Sequence, residues 1–175
     1  RNLGAMKERI EHFLALHKFQ SIADYLAIAP QPVRISPQAK VAAITTATSA
    51  GRIKVSIVIP CYNEKITLPY LAGNLKSLSA ENAQSYDFSY IFVDDGSSDD
   101  TWRVLQELFG ERPDCQLIKH PQNRGIAAAT MTGIRAAKDE IVCGIDCDCS
   151  FDPHELPKMI PLLTPDVDLV QASPY

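Results

Sequence analysis

An α/β fold, a mostly parallel sheet with helices on both faces, is what this sequence predicts, and three observations carry the prediction. Short apolar runs rich in β-branched residues alternate with stretches of helical spacing. The runs are apolar throughout rather than every second residue, as strands buried on both faces are. Polar residues gather where each run ends, at the edge where open α/β sheets bind ligands. With 46% hydrophobic residues in 175, the chain has enough apolar side chain to bury a core, which excludes disorder as a whole-chain reading.

The elements follow in order. Met6 to Ala27 carries apolar residues at Ile10, Phe13, Leu14, Phe19, Ile22 and Leu26, a rough helical stripe. Pro30, Pro32 and Pro37 then break the chain, and the small, polar stretch Ala42–Gly51 reads as a linker. Residues 1–52 are therefore expected to be a helical leader, and residues 53–175 the main domain. Val55–Ile59 is a first strand, ended by Pro60. Leu68, Leu71, Leu75 and Leu78 predict a helix in which Pro69 is tolerable only in the first turn. Tyr90–Val93 is a second strand, and Asp94 to Asp100 a polar turn. Thr101–Phe109 is a helix whose start is capped by Asp99 or Asp100. Cys115–Lys119 is a third strand, Gly125–Lys138 an Ala-rich helix, and Glu140–Ile145 a fourth strand. Pro153–Leu163 reads as a proline-spotted helix and Val167–Ala172 as a fifth strand.

Charge is divided along the chain. Residues 1–52 hold 7 Lys/Arg and 3 Asp/Glu, a net +4, whereas residues 53–175 hold 10 and 18, a net −8. The acidic main domain argues against nucleic acid as a partner. The basic leader reads as a solvated helix face or as a peripheral contact with an anionic membrane leaflet. No apolar run approaches the roughly 18 residues of a membrane span. The first residues, Arg1-Asn2-Leu3, show no secretory pattern, so a cytoplasmic location is expected, with the chain a segment of something longer. Five cysteines are an odd number for a disulfide scaffold.

The chemistry sits at the strand ends. The first strand delivers Pro60-Cys61-Tyr62-Asn63-Glu64, the second Asp94-Asp95-Gly96-Ser97, the third Asn123-Arg124-Gly125, and the fourth Asp146-Cys147-Asp148. Asp146 and Asp148, one residue apart, leave an extended chain on the same side and repel unless a proton or a cation intervenes. Oxygen ligands suit Mg²⁺ or Mn²⁺, and a divalent ion turns such a pair into a phosphate site. A calcium loop starting at Asp146 fails, because Phe151 and Pro157 stand where it needs Gly and Glu. Cys143, Cys147 and Cys149 read as small buried residues rather than a thiolate site. His154 reads as a helix-start residue, and nothing singles out His120 beyond its place at a strand end.

Taken together and in this order, these segments resemble the family-2 inverting glycosyltransferases with the GT-A fold, a Rossmann-like nucleotide-diphospho-sugar transferase fold, from about Lys54 to Tyr175. The polyprenyl-phosphate (dolichyl-phosphate) mannose or glucose synthases are the subgroup it resembles most. The resemblance implies that Pro60, Tyr62 and Glu64 line a nucleoside pocket, with Tyr62 able to stack on the base. It implies that Val93 and Asp95 meet the base, and that Arg124 and Gly125 lie near the nucleotide or sugar. Asp146, with Cys147 beside it, would contact ribose, sugar or metal, and Asp148 would bind the metal directly. Implied partners are a UDP- or GDP-linked sugar and a lipid-phosphate or glycan acceptor.

Two departures from the family pattern stand out. Cys147 occupies a place where Ala or Gly is usual, and Pro174 one where Arg is common. The general base that an inverting transfer needs is expected beyond Tyr175, so a donor-binding segment without turnover is the alternative reading. A sugar-1-phosphate nucleotidyltransferase is the enzyme rival, but no Gly-rich loop with a basic residue follows Val55–Ile59. A receiver-like phospho-acceptor domain uses Asp94-Asp95 and leaves Asn123-Arg124-Gly125 without a purpose.

Overall fold

The computed structural model describes residues 51–172. The expected leader falls outside them apart from its last two residues, as do Ser173, Pro174 and Tyr175. Four strands, β1 (Ile53–Cys61), β2 (Tyr86–Asp94), β3 (Cys115–Lys119) and β4 (Ile141–Gly144), form one parallel sheet in the order β3-β2-β1-β4. Three helices connect them: α1 (Leu68–Glu81), α2 (Thr101–Phe109) and α3 (Ile126–Ala136).

Strand alternation sorts the core into two layers. Val55, Ile57, Ile59, Phe88, Tyr90 and Phe92 face α1 and α2, and the four leucines of α1 are all buried against them. Phe92 stacks on Phe109 of α2 with ring centroids 4.1 Å apart. On the other face Val58, Ile91 and Val93 pack under α3 at Ala129. Ser56 and Ser89, partners in the β1–β2 register, are the polar exception, and both hydroxyls donate to Asp139 Oδ2, at 2.7 and 2.9 Å. That carboxylate ties the α3–β4 connection to the sheet and leaves no buried hydroxyl unpaired.

Three expectations are corrected. Pro60 does not end β1, which runs on to Cys61. The Val58 carbonyl accepts from Ile145, so by alternation the backbone nitrogen of Pro60 faces the β4 side, beyond the last β1–β4 pair, Val58–Gly144. The missing N–H therefore stops the β1–β4 ladder there, while the β1–β2 ladder on the other side runs on to Cys61–Asp94. The helix expected over 153–163 is instead a 3₁₀ turn (Pro153–Glu155), one helical turn (Leu156–Met159) and a second 3₁₀ turn (Ile160–Leu162). Pro157 and Pro161 each lack the N–H that a continuous α-helix would bond four residues back. Val167–Ala172 is not a fifth strand. Thr164 and Val167 close a single antiparallel bridge, the following residues pair with no strand among the described residues, and Leu169 is 79% exposed.

Candidate functional site

The sheet changes direction at β1: the chain steps outward through β2 and β3, then returns to lay β4 on the other side of β1. Such a switch point opens a crevice at the carboxyl ends of the two diverging strands. A cleft of about 360 Å³ lies there. The end of β1 contributes Pro60, Cys61, Tyr62 and Glu64, and the end of β2 contributes Asp95. Asn123, Ile126 and Ala129 form the α3 side, and the end of β4 supplies Asp146, Cys147 and Asp148. Seven of the ten residues singled out from sequence thus border one cavity.

Past β4 the chain turns at Cys147-Asp148, and the Cys149 N–H donates to the Asp146 carbonyl at 3.4 Å. Ile145 and Cys147 are buried, while Asp146 and Asp148 are exposed on the cleft side. Ser150 touches both acids, its N–H donating to Asp148 Oδ1 at 2.9 Å and its hydroxyl to Asp146 Oδ2 at 3.4 Å. Asp146 Oδ1 and Asp148 Oδ2 accept no hydrogen bond among the described residues, so each carboxylate keeps an oxygen for a ligand.

The loop after β1 is bolted to the loop after β2. Asn63, in the left-handed region at φ +57°, accepts from the backbone of Ser98 at 2.9 Å and of Asp99 at 3.3 Å. The Asn63 N–H donates back to Ser97 Oγ at 3.0 Å, and the Glu64 N–H to Thr101 Oγ1 at 2.7 Å. Asn and Asp tolerate this backbone region better than most residues, which accounts for Asn at the turn. Asp99, rather than Asp100, satisfies the start of α2, accepting from both the N–H and the hydroxyl of Thr101.

Val93, Arg124 and Gly125 do not border the cleft directly. Val93 is wholly buried beneath α3. Arg124 and Gly125 are tied to the cleft through Asp95, to which both N–H groups donate. Gly125 has φ +89° with ψ 155°, a region that essentially only glycine occupies, and it is the residue before α3. Two residues escaped the sequence reading. His120, 4% exposed, bonds the Asp95 carboxylate, and Asn63 holds two loops together. The partners of His120 come from three separate segments, so no local pattern signals it. Asn63 stands in the segment that the first strand delivers, and nothing in the sequence marks it as the residue that joins two loops.

Fold and cleft place the chain in the class of Rossmann-like α/β proteins that bind a ligand at a switch point. Residues 56–175 match the family model described as Glycosyl transferase family 2, and the chain belongs to that family. It is 31% identical over 124 residues to dolichol-phosphate mannosyltransferase of Pyrococcus furiosus, a match covering 70% of this chain and 34% of that protein. It is 37% identical over 118 residues to undecaprenyl-phosphate 4-deoxy-4-formamido-L-arabinose transferase of Pseudomonas syringae, covering 66% of this chain and 34% of that one. The chain spans about a third of the length of these curated relatives. Among solved structures, mannosyltransferase PcManGT from Pyrobaculum calidifontis, in complex with GDP-Man and Mn²⁺, shares the fold with a TM-score of 0.56 at 22% identity, over 92% of this chain and 43% of that one. S. aureus TarS 1-349 in complex with UDP-GlcNAc does so with a TM-score of 0.51 at 21% identity, over 61% and 29%.

Proposed function

We propose that this chain is the donor-binding part of a metal-dependent glycosyltransferase, which takes a nucleotide-diphosphate sugar and passes the sugar, with inversion, to a polyprenyl phosphate or a glycan hydroxyl. One observation carries the reading: Asp146 and Asp148 share the cleft side of the β4 end, each with an oxygen to spare, in the cavity that Pro60, Tyr62 and Glu64 enter from β1.

The donor set suits Mg²⁺ or Mn²⁺. No group of three or more His, Cys, Asp or Glu side chains converges to cage a metal among the described residues. Mg²⁺ is commonly held by one or two carboxylates together with substrate phosphates and water, and two exposed carboxylates match that need. Asp148 and Asp146 would hold the ion, and when bound it would supply Lewis-acid stabilisation of the charge on the departing nucleoside diphosphate.

The chain's own residues do the rest. Tyr62, 46% exposed at the rim, offers its ring as a stacking surface for the base, with Pro60 and Glu64 beside it. Asp95 forms the opposite wall with Asn123, and Val93 supports that wall from beneath. The Arg124 side chain is exposed next to this wall, where a guanidinium would meet phosphate oxygens. The named substrates of the two curated relatives are polyprenyl-phosphate lipids, which supports a lipid-phosphate acceptor and work at a cytoplasmic membrane face. No helix among the described residues is long and apolar enough to cross a membrane.

Calorimetric titration with UDP and GDP, each with and without Mn²⁺, tests the reading. Binding of at least one nucleotide is expected only with the metal, and Asp148→Ala is expected to abolish it. A ligand at about 100 times its Kd would add roughly 2.7 kcal/mol to stability, so a thermal-shift panel reads the same event. Silence from both nucleotides, or binding indifferent to Mn²⁺ and to Asp148, would overturn the proposal.

A further inference from the structure

Asp95 is placed by sequence against the nucleobase, yet its carboxylate is already engaged. It is 2% exposed. Its Oδ1 lies 2.6 Å from His120 Nδ1 and accepts from the Arg124 N–H at 3.0 Å. Its Oδ2 accepts from Arg124 at 3.1 Å and from Gly125 at 2.7 Å. A carboxylate offers about four acceptor positions, and three protein donors, the Arg124 N–H shared between both oxygens, occupy most of them here.

His120 holds this arrangement from the other side. Its Nε2 lies 2.9 Å from Thr132 Oγ1 on α3. An ionised carboxylate only accepts, so Nδ1 carries a proton and donates to Asp95. The Thr132 hydroxyl also reaches the Ala128 carbonyl, 2.9 Å away in the preceding helical turn. The imidazole therefore spans from the middle of α3 to the carboxylate that grips the peptide units entering α3. Loop and helix are fixed at two points, Gly125 and Thr132, about two helical turns apart. Backbone contact adjoins the grip: a Cβ on Gly96 would stand 2.3 Å from the Gln122 carbonyl carbon, so the loops after β2 and β3 touch beside Asp95.

We infer that His120 is a positioning residue for the donor site: it orients Asp95, and Asp95 sets the Asn123-Arg124-Gly125 wall against which the nucleotide diphosphate binds. The inference rests on the donor-site reading above and adds to it that Asp95, besides lining the cleft, acts on the donor through the loop it holds. Thr132 is the anchor that fixes the plane of the imidazole.

Two near-isosteric variants separate the two bonds. In His120→Asn the amide nitrogen stands close to where Nδ1 stood, which keeps the bond to Asp95 and drops the one to Thr132. In His120→Gln the amide reaches toward Nε2, which keeps Thr132 and leaves Asp95 without its ring donor. Each variant is compared with the unsubstituted chain by amide hydrogen exchange over residues 121–126 and by titration with UDP and GDP in the presence of Mn²⁺. All measurements are made at a temperature at which every variant is folded by circular dichroism.

His120→Asn is expected to retain most of the exchange protection at Arg124 and Gly125 and most of the nucleotide affinity. His120→Gln is expected to lose that protection and to weaken binding by roughly 10–100-fold, the range seen when an outer partner of a binding group is removed. A merely structural histidine would lower the melting temperature of both variants and leave affinity at the lower temperature alone. Equal affinity in both variants and the parent, or unchanged exchange in His120→Gln, overturns the inference. Failure of the parent to bind either nucleotide overturns the donor-site reading instead, and the exchange experiment still decides whether His120 holds the loop.

Discussion

The sulfurs of Cys61 and Cys147 face each other across the switch point, 3.4 Å apart. Each lies three residues beyond the last β1–β4 pair, Val58–Gly144. Both thiols are buried while Asp146 and Asp148 on either side are exposed. The contact with Cys147, together with burial, holds the Cys61 thiol well above its ordinary range. Cys147 therefore packs as the floor of the acidic loop. Cys147→Ala is expected to leave Mn²⁺-dependent nucleotide affinity unchanged and to lower stability by about 1 kcal/mol for the lost buried atom. A large fall in affinity with the fold intact would make the thiol a ligand. Cys61, kept protonated, is expected to react with iodoacetamide at pH 8 more slowly than the partly exposed Cys149, as read by mass spectrometry.

Gly133 lies where α3 crosses β1, and a Cβ there would stand 2.3 Å from Val58 Cγ1. Two effects oppose each other in Gly133→Ala. Helix propensity favours Ala by about 1 kcal/mol, whereas overpacking a close-packed contact costs about 1–3 kcal/mol. Val58 is wholly buried in mid-strand with no room to retreat, so overpacking wins. Urea denaturation is expected to show a net loss, and because α3 carries the Asn123–Gly125 wall, nucleotide affinity should fall with it. A stabilised variant would mean that helix and sheet separate more easily than this contact implies.

How much of this was legible beforehand divides along one line. Features set by neighbours in sequence were readable. The leucine stripe of α1 and the bounds of α2 and β3 came from local periodicity, and Asp146 and Asp148 share the cleft side as expected, though across a turn rather than along a strand. What failed needed a partner elsewhere. Val167–Ala172 has the residues of a strand but no ladder to join. Pro60 looks like a stop until the side its nitrogen faces is known. That Asp95 also grips the chain entering α3 is invisible until His120 and the amides of Arg124 and Gly125 are seen around it. Site residues that project from strand ends were found; those that hold other residues were not.

Tyr90 extends from β2 beneath α1, where its hydroxyl lies 2.7 Å from Ser79 Oγ and donates to the Leu75 carbonyl at 3.2 Å. Burial is the main cause that pushes its pKa up to about 12. Spectrophotometric titration should therefore show Tyr90 still largely protonated near pH 11. Tyr90→Phe removes that slow component and should cost about 1 kcal/mol, since the hydroxyl satisfies buried partners. Loss of an early-titrating tyrosine in the variant would contradict the burial.

Arg112 forks onto Asp114, with Nε 3.1 Å from Oδ1 and Nη2 2.6 Å from Oδ2, while its guanidinium lies over the Tyr90 and Phe109 rings. The hydrogen bond from Arg112 is the largest cause holding the Asp114 carboxyl below its ordinary 3.8. A carboxylate with a depressed native pKa stabilises the fold above the unfolded value and loses that contribution as pH falls through the folded one. The pair is 29% and 36% exposed, so solvent screens it, and its contribution at neutral pH should be at most about 1 kcal/mol. Asp114→Asn should therefore differ from the parent by about that much at pH 7, and the gap should close as pH falls below the ordinary 3.8 and through the lower folded value. Raising the salt concentration at pH 7 should narrow the gap as well. A difference that stays constant from pH 7 to pH 3 would assign the effect to packing of the Arg112 stem on Tyr90 rather than to charge.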